Sequence, residues 1–458
     1  MCGVVGVYCY DESVTSKIAY YTLFSLQHRG QESAGIATFH KNMVHLHKGM
    51  GLLGEVFSSE ILDKLHGNTA IGHVRYSTTG ESKIENAQPL LVKSKAGLIA
   101  VSHNGNLVNY WELRRKLEED GRVFLTDSDT EIIAQLLSNY LLKYDIIESL
   151  RKLSETLVGS YTLTMLINNK IVGFRDPIGF KPLCVGEADF GYVIASESCA
   201  IDAIGAEFIR DVRPGEAVVI EDGEIEFFKV LNSTKKAICV FEYIYFARPD
   251  SVIDGKSVYE ARHNMGRILA KESHVEADIV SSIPDSGITA SIGYSHESGI
   301  PYIEALIKNR YVGRTFIMPE QKLREFSVKL KVNAVKKNIE GKRVILVDDS
   351  IVRGTTSRKI VEMVRKAGAK EVHFRVGSPP IIAPCYFGID MSTREELLAS
   401  SRSVEEIKRL LNADTLAYLS LNGLLKAVGF SKRELCLACL TSLYPVEVAD
   451  EKCIDQLS

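Results

Sequence analysis

The sequence contains no long apolar run and no excess of charge of either sign. No segment reaches the roughly 18 apolar residues needed to cross a bilayer, and the short apolar stretch at the N-terminus has no basic residue before it, since the first lysine is Lys17. Lys and Arg number 55 against 58 Asp and Glu, a formal charge of −3, which gives no sign of nucleic acid or an anionic membrane as a partner. The expected location is therefore the cytoplasm.

Cysteine is also scarce, at nine in 458 residues. Nine is too few for a disulfide scaffold in a chain of this length, and an odd number leaves one unpaired. Metal binding and catalysis therefore compete with simple buried packing as the role of these cysteines.

The hydrophobic content of 45% and charged content of 25% are ordinary for a soluble globular protein, and the length suggests two or three domains.

The first half of the chain has the texture of a strand-rich domain. Short β-type runs separated by glycine and Asp/Asn turn signals include GVVGVY, GLIAVSHNGN and SYTLTMLINNK. Helical patterns cover residues 16–25 and 129–142, and the second has one clear apolar face. Strands flanked by helices predict a layered α+β domain.

The second half follows a strand–helix–strand rhythm. Residues 344–349, VILVDD, form a buried-type strand, and a polar loop, a helical pattern over 357–367 and the strand EVHFRVG follow. This unit predicts a parallel sheet. The change of texture puts the domain boundary near residue 232, which gives domains at 2–231 and 232–458.

Cys2 directly follows the initiator methionine. Removal of Met1 would leave cysteine at the N-terminus, and its own α-amine, with a reference pKa of about 7.7–8.0, would take the thiol proton. From position alone, most such cysteines have no function. Here, however, CGVVGV is followed in order by LQHRGQESAGI, GHVRYSTTG, HNGN and DSDTE. With these motifs, most of residues 2–230 resembles the N-terminal-nucleophile glutamine amidotransferases.

That resemblance implies an αββα domain in which Cys2 attacks the glutamine side-chain amide, forms a glutamyl thioester and releases ammonia. Arg75 would bind the glutamine α-carboxylate and Asp129 the α-ammonium, while Asn104 and the backbone N–H of Gly105 would form the oxyanion hole. Taken singly, HNGN is also a turn sequence, Asp129 a possible helix N-cap and Arg75 a possible surface residue. Their joint occurrence favours the glutaminase.

A second group of candidate residues follows the strand at 344–349. Asp348 and Asp349 end it, at the edge where open parallel sheets bind ligands. The loop 350–356 offers N–H groups and hydroxyls before a helix, which suits a phosphate, and adjacent carboxylates suit ribose hydroxyls or Mg²⁺. It is not a Walker A loop, because no GK[ST] follows. A solvated strand end before a capped helix is the plain alternative.

The whole string VILVDDSIVRGTT resembles the phosphoribosyl-pyrophosphate signature of the type I phosphoribosyltransferases, which have an α/β fold. The resemblance implies that Asp348 and Asp349 contact the ribose and its Mg²⁺, with Ser286 as a further metal-site position. It also implies a 5′-phosphate cradle made by the loop residues Ser350, Arg353, Gly354, Thr355 and Thr356.

Residues 308–333 are rich in Lys and Arg and weakly periodic. A solvated basic face is the usual explanation of such a stretch. The resemblance implies instead a lid that closes over the pyrophosphate, excludes water and brings Lys308 and Arg324 to a polyanion.

Together the two halves resemble the glutamine phosphoribosylpyrophosphate amidotransferases nearly end to end. This implies the first committed step of purine synthesis: glutamine, phosphoribosyl pyrophosphate and water give 5-phosphoribosylamine, glutamate and pyrophosphate, with ammonia travelling inside the protein. It also implies feedback by purine nucleotides and a dimer or tetramer. The rivals are a glutaminase feeding another acceptor, a nucleotide-sensing regulator and an inactive structural homologue. VILVDDSIVRGTT disfavours the first rival, and the retained glutaminase motifs disfavour the second.

The remaining cysteines include a C-x-x-C pair, CLAC, at 436–439. Alone, this pair suits zinc, a redox pair, an iron–sulfur site or two buried thiols. The cluster-bearing branch of the family takes four ligands, and the resemblance implies a structural [4Fe–4S] cluster at Cys239, Cys385, Cys436 and Cys439, with zinc as the competitor. That branch often carries a propeptide, whereas here only Met1 would have to be removed. No role is assigned to Cys9, Cys184, Cys199 and Cys453.

Overall fold

The computed structural model describes residues 1–76, 80–233, 235–309, 331–391 and 393–448. Within them, the strand-rich N-terminal region contains two antiparallel sheets. The first has seven strands, in the order Glu207–Asp211, Cys184–Ala188, Gly191–Ala195, Gly3–Cys9, Thr69–Arg75, Ser33–His40 and Met43–Met50. The second has six, in the order Glu224–Lys229, Glu216–Glu221, Lys170–Arg175, Gly159–Ile167, Gly97–Leu107 and Leu90–Ser94.

The two sheets pack face to face across a core of fully buried aliphatic side chains, such as Val4 and Ile71 from the first sheet and Leu166 and Ile171 from the second. The outer face of the seven-stranded sheet is covered by Thr15–Ser25, Leu53–Val56, Ser59–Leu62 and Ser198–Asp202. The outer face of the other is covered by Tyr110–Glu119, Asp129–Tyr140 and Ile146–Thr156. The order helix, sheet, sheet, helix confirms the predicted αββα fold.

The C-terminal region is built on a parallel sheet. Its strands among the described residues run in the order Ile279–Ser282, Arg343–Asp348, Glu371–Val376 and Thr415–Tyr418. Helices Val258–Glu272, Ile288–Ser298 and Leu421–Val428 pack on one face, and Thr355–Lys366 and Val404–Leu411 on the other. Since both faces are covered, the first three strands are buried along almost their whole length, and the α/β prediction is confirmed.

Short elements join these layers. The strand pairs are Ile238–Cys239 with Leu435–Cys436, Val252–Ile253 with Lys256–Ser257, and Leu306–Lys308 with Val332–Ala334. The single helical turns are Ile84–Asn86, Glu242–Phe246, Lys336–Ile339, Leu398–Ser400 and Ala438–Thr441. Within the described ranges, no helix has the length and apolar character to cross a membrane.

The predicted helices agree with the structure to within a few residues. The pattern at 16–25 is the helix Thr15–Ser25, and the pattern at 129–142 is Asp129–Tyr140. The helix predicted at 357–367 begins earlier, at Thr355, because Gly354 has a φ of +74° and turns the chain into the helix directly after the loop.

Candidate functional site

Cys2 lies at the start of the central strand Gly3–Cys9. This strand pairs antiparallel with Thr69–Arg75, and Gly3 is opposite Val74, so Cys2 lies beside the end of that neighbouring strand. The Cys2 thiol is 3.6 Å from the carbonyl oxygen of Tyr76. Cys2 is 7% exposed, so this residue is nearly enclosed.

Asn104 and Gly105 face Cys2 from the second sheet, on the strand Gly97–Leu107. The Cys2 N–H donates to Asn104 Oδ1 at 3.1 Å, which fixes the orientation of that side-chain amide. Asn104 Nδ2 is buried and has no hydrogen-bond partner among the described residues. Because buried donors are normally paired, the unpaired amide of a residue that contacts Cys2 is available to bind an anionic oxygen.

The C-terminal region closes over this strand. A Cβ added at Gly388 would lie 3.0 Å from the carbonyl carbon and oxygen of Gly105, and one added at Gly105 would lie 1.9 Å from the carbonyl oxygen of Ser160. Asn106 Nδ2 also donates to the carbonyl of Tyr386 at 3.0 Å. Both glycines are therefore required by close backbone approach.

Arg75 is the last residue of the strand Thr69–Arg75 and is 2% exposed, so it is not a surface residue. Its guanidinium donates to the carbonyls of Gly80 and Glu81 at 3.3 Å each, and its Nη1 is 4.0 Å from a carboxylate oxygen of Glu32. These contacts hold the guanidinium in place. Residues 77–79, which follow Tyr76, lie outside the described residues.

Asp129 is the first residue of its helix, but Ser128 is the N-cap, since its side chain accepts from the N–H of Thr130. The Asp129 carboxylate accepts from the Leu107 N–H at 3.0 Å and lies 3.5 Å from Nδ1 of His103. It is 5% exposed. The carboxylate is thus tied to the strand that carries Asn104 and Gly105, and capping does not account for it.

His103 was not predicted as a site residue, although it begins the HNGN motif. Burial alone would lower its pKa, but the Asp129 carboxylate outweighs burial and raises the pKa of His103. Its Nε2 also lies 3.1 Å from the Ser160 carbonyl. The His103 ring thus contacts the Asp129 carboxylate and helps to hold it in place. Only the fold brings these residues together, so no sequence signal beyond the motif could have found the contact.

In the C-terminal region, Asp348 and Asp349 lie at the carboxyl end of the strand Arg343–Asp348, as predicted. Both are 8% exposed. Ser286 and Ser350 donate their hydroxyls to the two oxygens of Asp349. Burial and the neighbouring Asp349 carboxylate raise the pKa of Asp348. The structure therefore brings together the three residues predicted to bind magnesium, and the paired acids repel each other without a cation.

The loop that follows leads into the N-terminus of the helix Thr355–Lys366. The N-cap residue is Gly354, which has no side chain to accept hydrogen bonds. The N–H groups of Thr355 and Thr356 at the start of the helix therefore make no hydrogen bond to an N-cap side chain. An added Cβ at Gly354 would lie 2.5 Å from Leu398. The Arg353 guanidinium turns away to Glu396, at 2.9 Å.

The predicted lid falls largely outside the described residues, and Arg324 lies there. The described ends of the segment form the antiparallel pair Leu306–Lys308 with Val332–Ala334, in which Lys308 is opposite Val332. The Lys308 ammonium pairs with the Asp285 carboxylate, next to Ser286. This basic side chain therefore stands at the edge of the carboxylate site.

A cavity of about 220 Å³ lies between the two groups of residues. It is lined by His28, Arg29, Tyr76, Phe241, Tyr245, Phe246, Ser350, Val352, Ile389, Asp390 and Met391. Tyr76 reaches it from beside Cys2, and Ser350 from the loop after Asp349. A larger cavity, of about 620 Å³, lies by Tyr144, Lys170 and Phe228 and includes none of the predicted site residues.

The four predicted cluster cysteines come from three separate segments. Cys239 and Cys436 are opposite each other in the parallel pair Ile238–Cys239 with Leu435–Cys436. The carbonyl of Cys439 accepts from the N–H groups of residues 382 and 383, just before Cys385. Burial raises the pKa of Cys436 and of Cys439. The Cys239 and Cys385 thiols raise both further, and the Cys436 thiol also raises the pKa of Cys439. The structure therefore gathers all four.

Lys181 is fully buried beside these thiols. The Cys239 N–H donates to the carbonyl of Phe180, the residue before Lys181. Within the described part of the chain, Lys181 Nζ has no hydrogen-bond partner. Burial alone would lower the pKa of Lys181, but the Cys239 and Cys385 thiols raise it. An ammonium held here fits an anionic group at the four thiols.

As the side chains stand, no three His, Cys, Asp or Glu residues of the described ranges are arranged to hold a metal ion. The segments that carry the four cysteines are thus adjacent, but the four thiols do not form a ligand set. Among the other cysteines, Cys9, Cys184 and Cys199 are buried free thiols in the N-terminal region, and Cys453 lies outside the described residues.

Comparisons with known proteins agree with this two-part architecture. The sequence profile of a family described as "Glutamine amidotransferase domain" matches residues 73–203, and one described as "Phosphoribosyl transferase domain" matches residues 265–376. Fold and profiles together define the class, a glutamine amidotransferase domain joined to a phosphoribosyltransferase domain.

Curated relatives over the full chain narrow the class. The amidophosphoribosyltransferase of Archaeoglobus fulgidus is 67% identical over 99% of this chain and 100% of its own, and that of Bacillus subtilis is 50% identical over 98% and 94%. The solved B. subtilis glutamine phosphoribosylpyrophosphate amidotransferase, complexed with ADP and GMP, superposes with a TM-score of 0.92 at 49% identity over 98% of both chains. The chain belongs to the amidophosphoribosyltransferase family.

Proposed function

We propose that this chain makes 5-phosphoribosylamine, glutamate and pyrophosphate from glutamine, phosphoribosyl pyrophosphate and water, as the first committed step of purine biosynthesis. The full-length identity of 67% to an amidophosphoribosyltransferase carries this proposal. The 220 Å³ cavity supports it, because it is lined both by Tyr76, whose carbonyl contacts the Cys2 thiol, and by Ser350 of the Asp349 loop, and so lies between the two sites that ammonia has to connect.

In the glutamine half-reaction, the Cys2 sulfur attacks the side-chain amide carbon. The thiol proton passes by way of the Cys2 α-amine, once Met1 is removed, to the departing ammonia, and water then hydrolyses the thioester to glutamate. Asn104 Nδ2 and the Gly105 N–H stabilise the oxyanion. The unpaired amide of Asn104 supports this role, and its Oδ1 is placed to hold the Cys2 nitrogen.

Arg75 and Asp129 recognise the amino acid end of glutamine. Arg75 supplies a planar, permanently charged donor for the α-carboxylate. Asp129 accepts from the α-ammonium. Their placement supports these roles, because both are nearly fully buried. Arg75 ends the strand that pairs with Gly3–Cys9, directly after Cys2, and Asp129 accepts a hydrogen bond from the strand that carries Asn104. A charged group that is held by backbone contacts needs little reordering when substrate binds.

In the second half-reaction, Asp348 and Asp349 bind the ribose hydroxyls, and the N–H groups at 355 and 356, together with the Ser350 hydroxyl, bind the 5′-phosphate. Ammonia attacks C1 of the ribose as the bond to pyrophosphate breaks. The oxygen donors of Ser286, Asp348 and Asp349 fit Mg²⁺, which prefers such ligands and would supply charge neutralisation of the pyrophosphate. Lys308 and, from the lid, Arg324 would add positive charge.

We also propose a [4Fe–4S] cluster at Cys239, Cys385, Cys436 and Cys439, with zinc as the competing metal. Four thiolates and a 2+ cluster core carry a net charge of about −2, and the buried Lys181 ammonium offsets part of it. The cluster would tie the segment at 385 to the C-terminal segment at 436–439. It supplies no step of the reaction.

Regulation and assembly remain proposals drawn from the relatives. One similar solved structure contains ADP and GMP, and another is described as the allosteric regulatory enzyme of purine biosynthesis. We therefore expect purine nucleotides to inhibit this chain, a homodimer or homotetramer to form, and the enzyme to work in the cytoplasm.

A product assay on anaerobically prepared protein tests the function. We expect pyrophosphate and glutamate in equal amounts when glutamine, phosphoribosyl pyrophosphate and Mg²⁺ are all present, and no pyrophosphate when Mg²⁺ is omitted. Free ammonium should replace glutamine. Glutamate formation without any pyrophosphate, under all conditions, would instead point to a glutaminase that feeds another acceptor.

A further inference from the structure

The Arg29 side chain joins the nucleophile's backbone to the segment that connects the two domains. Its Nε donates to the carbonyl oxygen of Cys2 at 3.0 Å, and Nη1 and Nη2 donate to the two carboxylate oxygens of Glu242 at 3.0 and 2.7 Å. Arg29 and Glu242 are fully buried. Such a bidentate contact fixes orientation as well as distance.

Glu242 begins the wide helical turn Glu242–Phe246, which a second buried arginine holds from the other side. Arg262, on the helix Val258–Glu272, donates to the carbonyls of Tyr243 and Ala247 at 2.8 Å each. Arg262 thus holds backbone carbonyls of the turn, and Arg29 holds the side chain of its first residue. It has little freedom to move except together with these two contacts.

Glu197 ties the far end of the same turn to Arg29. It accepts from Arg29 Nη1, from the backbone N–H of Arg248 at 2.8 Å and from the Ser251 hydroxyl at 2.7 Å. Burial alone would raise the pKa of Glu197, but His28 and Arg29 hold it below its usual range, so the carboxylate stays ionised. The guanidinium therefore holds both ends of the turn.

The turn carries two aromatic side chains into the wall of the 220 Å³ cavity. Tyr245 and Phe246 line it together with Ser350 and Val352, which belong to the proposed phosphate loop. These two side chains therefore share the cavity wall with that loop. From there the rigid turn leads to Glu242, to Arg29 and to the backbone of Cys2.

We propose that Arg29 and Glu242 are positioning residues through which the phosphoribosyl site controls the attack of Cys2, so that glutamine is used only when the acceptor is bound. This rests on the proposed function. Both residues act through the backbone of Cys2: Arg29 contacts the Cys2 carbonyl directly, and Glu242 holds the Arg29 guanidinium. Because 5-phosphoribosylamine is labile, coupled release of ammonia avoids wasted glutamine.

The test compares glutamine hydrolysis with and without phosphoribosyl pyrophosphate in the full-length Glu242→Gln variant. A glutamine side chain keeps one acceptor for Arg29 but turns an NH₂ donor towards the other guanidinium N–H, which breaks the bidentate contact. We expect the stimulation of kcat/KM for glutamine by phosphoribosyl pyrophosphate to fall at least fivefold, while ammonia-dependent product formation stays within twofold of wild type.

Asp254→Asn is the matched control. Asp254 also pairs bidentately with a buried arginine of the N-terminal sheet, since Arg175 Nη1 and Nη2 donate to its two oxygens at 2.8 Å each. This pair joins the same two regions of the chain but touches neither Cys2 nor the cavity. We expect the variant to lose thermal stability and to keep the stimulation.

The possible results separate the alternatives. Loss of stimulation in Glu242→Gln but not in Asp254→Asn supports the proposal. Equal loss in both variants shows that domain docking alone sets the stimulation, and this result overturns the proposal. Retention of the stimulation in Glu242→Gln shows that Arg29 and Glu242 do not carry it, and this result overturns the proposal as well.

If Glu242→Gln does not fold, Arg29→Lys decides by the same criteria, because lysine keeps the charge and loses the planar fork. A wild-type chain without glutamine-dependent activity would refute the proposed function itself.

Discussion

The side-chain oxygen of Asn104 accepts the backbone N–H of Cys2 at 3.1 Å, while the nitrogen of the same amide has no partner among the described residues. One amide group therefore holds the Cys2 nitrogen through its oxygen and keeps its NH₂ group unpaired. The two functions can be separated by substitution, because only one of the two amide atoms serves each of them.

Asn104→Asp keeps the acceptor and removes the donor. We expect kcat for glutamine hydrolysis to fall by about 10²–10³, the usual cost of losing one oxyanion donor, with little change in KM for glutamine. Steady-state glutamate release measures both constants. A fall in ammonia-dependent activity of the same size would contradict the assignment, since that reaction does not involve the thioester.

Cys2→Ala removes the nucleophile alone. Glutamine-dependent formation of 5-phosphoribosylamine should disappear, and ammonia-dependent formation should continue at the wild-type rate. The control is Cys9→Ala, which removes another buried thiol of the same strand. If Cys2→Ala still used glutamine at the wild-type rate, Cys2 would not be the nucleophile.

Asp349→Asn should give the opposite pattern. The carboxylate accepts from Ser286 and Ser350 and stands beside Asp348, so its loss weakens the ribose and magnesium contacts. We expect pyrophosphate release with either glutamine or ammonia to fall by at least tenfold, and more Mg²⁺ to be needed for half-maximal rate. Unchanged magnesium dependence would remove Asp349 from the metal site.

Acid should destabilise the N-terminal domain through His73. Its Nε2 donates to the His103 carbonyl at 3.1 Å, its Nδ1 has no partner among the described residues, and burial lowers its pKa from 6.5 to about 3. Between these values the unfolded chain binds more protons than the folded one. The free energy of unfolding therefore rises with pH from about 3 to 6.5, by up to roughly 1.4 kcal/mol per pH unit.

Thermal unfolding at pH 4.5 and 7.5 measures this effect. In His73→Gln, whose amide can still donate to the His103 carbonyl, we expect a smaller difference between the two midpoints than in wild type. His66→Gln, at an exposed histidine, is the control and should leave the difference unchanged. Identical differences in all three proteins would show that His73 is not the group that titrates.

Anaerobic purification should give a brown protein with about four irons per chain, and Cys436→Ala should lose them. In Lys181→Met, we expect the iron content to stay and the midpoint potential of the cluster to become more negative, because a buried positive charge beside it is gone. Potentiometric titration followed by electron paramagnetic resonance measures the shift, with Lys170→Met, a half-exposed lysine, as control. Stoichiometric zinc in a colourless protein would refute the iron–sulfur cluster.

The sequence was informative where a function is carried by residues close together in the chain. β-type runs bounded by turn signals predict strands at or next to Cys2, Arg75 and Asn104. The structure has the strands Gly3–Cys9, Thr69–Arg75 and Gly97–Leu107 at these places. The same holds for Asp348 and Asp349. Local sequence patterns determine such strands, so the sequence predicts both the site residue and its place at the end of a strand.

Other features depend on contacts between distant parts of the chain. Arg29 meets Glu197 and Glu242, which are 168 and 213 residues away, and no local pattern announces such a pair. The helix Val258–Glu272 was missed as well. It contains Gly266, an unfavourable helix residue, where an added Cβ would lie 1.8 Å from the Ala290 carbonyl oxygen of the adjacent helix. Tertiary packing requires that glycine and outweighs its low propensity.

The close approach of Gly105 and Gly388 has a consequence for protein engineering and for gene fusion. A Cβ on Gly388 would lie 3.0 Å from the Gly105 carbonyl, which belongs to the other half of the chain, whereas the space beside Gly105 is taken by the Ser160 carbonyl of its own half. A glutaminase half taken from another protein would therefore fit this phosphoribosyl half only if its strand followed the same path at that point. Chimeras of the family should keep a glycine at 388 opposite such a strand.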